Sequence, residues 1–134
     1  MNATEHRFVP GWLIAGDLLA IALVTLFGFA THGELGSAGT RMLTTFVPLC
    51  LGWMAAAPAL GLFNRAAAGD PRQLWRPLWA MLLGGPLAAW LRAAWLGAAV
   101  LPVFVFVLSG VGALGLLAWR ALALIFLRRQ AARR

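Results

Sequence analysis

Four stretches of predominantly apolar residues, 11–30, 42–63, 74–96 and 103–127, follow one another with only short connections between them. About twenty such residues in helical form cross the hydrocarbon core of a bilayer. In lipid the backbone finds no water, so a segment that spans it must close its own hydrogen bonds, as a helix does. The pattern predicts an all-α integral membrane protein, a bundle of four transmembrane helices forming one domain over residues 1–134, with short tails at 1–10 and 128–134. A hydrophobic content of 62% against 11% charged residues excludes an ordinary soluble domain. The polar start with Arg7, followed by an apolar run, has the outline of a signal peptide. Its length and the further spans behind it favour an uncleaved first helix.

Each span ends at punctuation. The connection 31–41 contains Gly33, Gly36, Ser37 and Gly39, the connection 64–73 carries Gly69, Asp70 and Pro71, and 97–102 is short enough to make the last two spans a tight hairpin. All eleven basic residues are arginines, for a formal charge of +7. Such a charge also suits nucleic acid, but no binding motif accompanies it and the arginines flank the spans. Arg7, Arg65, Arg72, Arg76, Arg128, Arg129, Arg133 and Arg134 fall on one side and Arg41 alone on the other. By the positive-inside rule both termini are expected in the cytoplasm. Trp12, Trp75 and Trp79 are then expected near the cytoplasmic interface and Trp95 near the outer one.

Three ionisable residues lie inside the spans, Asp17, Arg92 and Arg120, each costing roughly 2.5–3.5 kcal/mol to insert at a helix centre. Asp17 stands about 9 Å from the start of the first span and Arg120 about 10 Å from the end of the fourth, at 1.5 Å per residue. Their depths match, and the two helices can be neighbours in an up-and-down bundle, so an Asp17–Arg120 ion pair is expected. The pair reads either as a clasp between helices or, if Asp17 gains and loses a proton or cation, as a coupling site. Arg92 sits near the outer end of the third span, where it either snorkels to the headgroups or meets Glu34 and His32 in one outer-face polar cluster. His32 is a hydrogen-bonding interface residue or a ligand to a metal, haem or pigment. His6, in the tail, offers less.

Gly84-Gly85-Pro86 is expected to break the third helix near its middle, as Pro48 and Pro58 interrupt the second. In a membrane such breaks are static kinks or line a substrate niche. Ser109, Gly110, Gly112 and Gly115 allow close helix approach in the fourth span. Cys50 is the only cysteine, so no disulfide forms within the chain. There is no phosphate-binding loop, no nucleophile triad and no paired metal-ligand spacing, and no enzymatic activity is expected.

The pattern resembles a prokaryotic family of small four-helix membrane proteins catalogued as a domain of unknown function. The resemblance covers roughly residues 14–121 and rests on Asp17-Leu18-Leu19, Phe27-Gly28 followed by His32-Gly33, Pro48 with Gly52-Trp53, Leu91-Arg92, and Trp119-Arg120. The family pattern has an Arg directly after the glycine that matches Gly28, where this chain has Phe29. The resemblance implies the four-helix fold in a prokaryotic cytoplasmic (inner) membrane, marks Asp17, His32, Arg92 and Arg120 as the polar set, and implies no reaction.

Three function classes follow. The first is a noncatalytic membrane protein, an accessory or structural subunit packed against other membrane subunits or against itself, with the lipid bilayer as its solvent and no nucleic-acid partner. The second is a small dimeric transporter or channel coupled through Asp17, with Gly84-Gly85-Pro86 as hinge; the absence of Tyr for a cation cage and the nearness of Arg120 weigh against it. The third is a binder of a hydrophobic cofactor, a carotenoid, chlorophyll-type pigment or haem, with Trp53 and Trp90 as walls and His32 as ligand.

Overall fold

A computed structural model describes residues 8–134; His6 and Arg7 lie outside the described residues. Among the described residues there are four long α-helices, α1 (Gly11–Thr31), α2 (Gly39–Ala59), α4 (Trp75–Leu96) and α5 (Pro102–Ala132), and one short one, α3 (Arg65–Ala68), between α2 and α4. α1, α2 and α5 are long and apolar enough to cross a membrane. α4 has similar length but is not among them, because Arg76, Arg92, four tryptophans and Gly84-Gly85-Pro86 lower its hydropathy. The four expected spans thus become three by hydropathy, plus one long helix that packs between two of them.

The long helices neighbour one another in the cyclic order α1, α2, α4, α5. α4 packs most extensively, against α2 and α5, while α1 touches α5 and α2 more lightly. The inward face of α4 is a stripe of small residues, Ala80, Gly84, Gly85, Ala88, Ala89 and Ala93 with Met81, and its outward face carries Trp75, Trp79, Leu83, Leu87, Trp90 and Trp95. Small residues inside and large apolar ones outside reverse the soluble pattern. In lipid, association comes from close backbone packing rather than from burial of large side chains. The two seams of α4 show how close. A Cβ on Gly52 of α2 would lie 2.2 Å from the Gly84 carbonyl oxygen, and one on Gly85 would lie 2.1 Å from Ser109 Oγ of α5.

This packing corrects one expectation. Gly84, Gly85 and Pro86 lie inside an unbroken α4, and Pro48 and Pro58 inside α2. The glycines mark where three helices cross, and no hinge forms there. The bounds of α2 also move, from 42–63 to Gly39–Ala59. Its end is set by Gly61, whose φ of +69° suits glycine; Gly61 N–H donates to the Pro58 carbonyl and Leu62 N–H to the Ala57 carbonyl, both at 3.0 Å. That paired bonding is a Schellman ending. α5 runs on to Ala132, so the tail expected at 128–134 is largely helical, with Arg128 and Arg129 in its last turns, where cations complement the helix dipole.

At one end of the bundle, Val9 N–H donates to the Phe63 carbonyl at 3.0 Å and Phe8 bridges Asn64. Trp12 meets Phe126 edge-on at 5.8 Å. These contacts gather the N-terminal segment, the 60–73 connection and the end of α5 at one basic end. The Asn64 side chain caps α3, and Asp70 accepts from Arg72 N–H, so that connection is folded rather than loose.

Candidate functional site

Two polar sites lie within the bundle, one toward each end. Toward the basic end, Arg120 of α5 reaches Asp17 of α1. Arg120 Nε donates to Oδ1 at 2.7 Å and Nη2 to Oδ2 at 2.6 Å, while Nη1 donates to the Leu62 carbonyl at 3.3 Å. Asp17 is wholly buried and Arg120 is 6% exposed. Two parallel charge-assisted bonds are the strongest arrangement open to this pair, and the Leu62 carbonyl takes up a further N–H. The adjacent residues fix the approach of the helices: a Cβ on Gly16 would fall 1.8 Å from the Trp119 ring, whose Nε1 donates to the Leu13 carbonyl at 3.3 Å. Arg76 completes this end, donating through Nη1 to the Leu60 carbonyl at 2.6 Å and through Nε to Gln73 at 2.5 Å. Two arginines therefore take carbonyls just past the α2 C-terminus, where the dipole is negative. A cavity of about 20 Å³, room for roughly one water, separates Arg120 from Asp70, Gln73 and Arg76.

A larger cavity, about 270 Å³, opens at the opposite end between the second half of α1 and the first half of α5. Its walls are apolar, with Val24, Phe27, Phe29, Phe104, Val107 and Val111 among them, and its polar lining comes from Thr25, Thr31, His32, Glu34, Arg41, Thr45 and Arg92. The expected outer-face residues His32, Glu34 and Arg92 thus share one cavity, but the pairing differs from expectation. Glu34 bonds Arg41, brought round by the 3₁₀ turn Leu35–Ser37. Arg92 instead donates through Nε to Thr45 Oγ1 at 3.2 Å and lies over the Phe104 ring at 4.8 Å. Its other guanidinium N–H groups make no hydrogen bond among the described residues.

The pigment arrangement is not assembled. Trp53 is wholly buried among α2, α4 and α5 residues, its indole N–H unpartnered among the described residues. Trp90 is 59% exposed on the outer face of α4. Neither lines the cavity that contains His32. One ring is inside the bundle and the other on its surface, and His32 lines a cavity that neither of them reaches. Neither cavity is lined by Gly84, Gly85 or Pro86. Among the described residues no three His, Cys, Asp or Glu side chains gather as metal ligands.

A family model described as a protein of unknown function (DUF3054) matches residues 14–123. The chain belongs to this family. The DUF3054 match takes in α1 from its second turn, all of α2 to α4 and most of α5, and so includes Asp17, Arg120 and the whole lining of the larger cavity. Neither a curated protein nor a solved structure matches the chain.

Sequence reasoning gave no place in a site to Arg41 or Trp119, which it named only for charge and motif, and passed over Thr45, Phe104 and the Leu62 carbonyl. Gly16, directly before Asp17 in the first apolar span, was the readable signal for Trp119. Thr44-Thr45, a hydroxyl pair inside an apolar span at about the depth of Arg92, was the signal for its partner. The backbone carbonyl left none.

Proposed function

We propose that this DUF3054 chain is a noncatalytic four-span protein of the prokaryotic cytoplasmic membrane that serves as an accessory or structural subunit, assembled with other membrane chains or with itself. The observation that carries the reading is the Asp17–Arg120 pair: both carboxylate oxygens accept from one guanidinium inside the bundle. A coupling acid has to exchange protons or cations, and a bidentate arginine opposes both. The pair is therefore a clasp joining α1 to α5. On α4, large apolar side chains outside and small ones inside support lateral contacts in lipid. Placement of both termini in the cytoplasm is supported by the arginine-rich end, which also holds the N-terminal segment and the 60–73 connection.

Alkaline phosphatase fused after residue 36 or 100 is expected to be active and after residue 69 or 134 inactive; the reverse overturns the topology. Native mass spectrometry from mild detergent is expected to give an assembly of fixed stoichiometry, and a bare monomer argues against the subunit role. In proteoliposomes, proton-coupled flux abolished by Asp17→Asn but retained by a fold-matched control would move the function to transport.

A further inference from the structure

We infer that the 270 Å³ cavity binds a single-chain amphipathic anion, with its carboxylate or phosphate head on Arg92 and its alkyl chain along the α1–α5 cleft. The inference rests on the membrane placement proposed above and not on the subunit role.

Charge is the first argument. Two arginines and one carboxylate line the cavity, and Glu34 is taken by Arg41. Arg92 is left as a cation without a carboxylate partner among the described residues, in a helix whose surroundings are apolar. An unmatched charge in such a setting is unfavourable, and a bound anion offsets it.

Geometry is the second. Thr45 holds Nε and the Phe104 ring holds the guanidinium face, so the group is oriented while its terminal N–H groups are left for a ligand. A planar fork with two free donors matches the two oxygens of a carboxylate or phosphate. Arg120 grips Asp17 through Nε and Nη2; on Arg92, where Thr45 takes Nε, the two Nη groups are the pair that remains.

The walls supply the third. Beyond the arginine the lining turns to Val24, Phe27, Val107 and Val111, and Phe27, Val107 and Val111 are exposed on the outside of the bundle. The cleft therefore leads from the cation sideways toward where acyl chains lie. Its volume is just below the range of small-molecule sites, roughly 300–1,000 Å³, which suits a head and the first methylenes with the rest of the chain in lipid.

The test uses the full chain in phosphatidylcholine nanodiscs with three probes: palmitate, palmitoyl lysophosphatidate and hexadecanol. At least one anion is expected to bind saturably at one per chain, and the alcohol at least about tenfold more weakly, the ratio that one lost charge-assisted contact produces. Palmitate preference identifies a free fatty acid as the source, and lysophosphatidate preference a phospholipid-derived head. Arg92→Gln is expected to weaken the anion about tenfold or more, with Arg92→Lys partly restoring it. Val107→Trp, at an exposed cleft position, is expected to block the chain while leaving Arg92 in place, and keeps the test valid if an Arg92 variant fails to fold. Equal binding of alcohol and anion, no saturable anion binding, or unchanged binding in Val107→Trp overturns the inference. A wrong membrane placement would instead be seen in the phosphatase fusions.

Discussion

Arg120 and Arg92 stand in neighbouring long helices, each within a predominantly apolar segment, yet the bundle treats them oppositely. Arg120 is met by both oxygens of Asp17 and by the Leu62 carbonyl and is almost wholly buried. Arg92 is met by a hydroxyl and a ring face beside an open cavity. The helices differ in the same sense: α1 and α5 close on Gly16 and Trp119 toward the basic end, and part around the cavity toward the other. A cation whose partners all come from the chain fastens helices together. One whose partners are incomplete is left open to a ligand, and the contrast between the two makes predictions.

The largest effect is expected at the clasp. Arg120→Leu leaves the Asp17 carboxylate buried without its partner, which costs roughly 3–5 kcal/mol. Asp17→Leu combined with Arg120→Leu removes both charges and is expected to recover most of that loss, because the pair's own attraction largely offsets the cost of desolvating it. Unfolding in mixed detergent micelles reads both, and the interaction energy of the double-mutant cycle decides. Additive losses would show that the pair is not a clasp.

A much smaller effect on stability is expected from Arg92→Gln. The glutamine amide still reaches a hydroxyl, and what is lost is a cation–ring contact beside a cavity, about 1 kcal/mol or less. The same unfolding assay applied to both arginines sharpens the comparison. A loss at Arg92 as large as that at Arg120 would make it a second clasp and would remove the reason to place a ligand there.

The clasp was legible in the sequence because two opposite charges at matched depths in apolar helices leave few other ways to be neutralised. The ends of α1 and α4 were legible too, since Gly33 and Gly97 stand where apolar runs stop. The end of α2 was not, as Gly61 sits inside Leu60-Gly61-Leu62-Phe63, and an apolar run hides a turn glycine. The partners of Arg92 depend on how α2, α4 and α5 are rotated about their axes. In helices that are apolar all round, the hydrophobic pattern carries no phase. The small-residue stripe of α4 carries it instead, and that stripe also explains why Gly84-Gly85 is a crossing and Trp90 faces outward. Pairing of Glu34 with Arg41 needed the 3₁₀ turn at Leu35–Ser37, which no spacing rule supplies.

The smallest stability effect, and the finest test of the comparison, is at Glu34. Its ion pair with Arg41 is about half exposed, so Glu34→Gln is expected to cost less than about 1 kcal/mol, and less still at high salt. For the cavity the consequence runs the other way. Removing the carboxylate frees Arg41 on the lining that Arg92 shares, so the local charge becomes more positive and anion affinity is expected to rise a few-fold, most clearly at low ionic strength. Saturation binding of palmitate to the wild-type chain and to Glu34→Gln, at two salt concentrations, measures this. An unchanged affinity would place Arg41 outside the recognition site and leave Arg92 as its only cation, whereas a fall would mean that Glu34 itself orders the cavity.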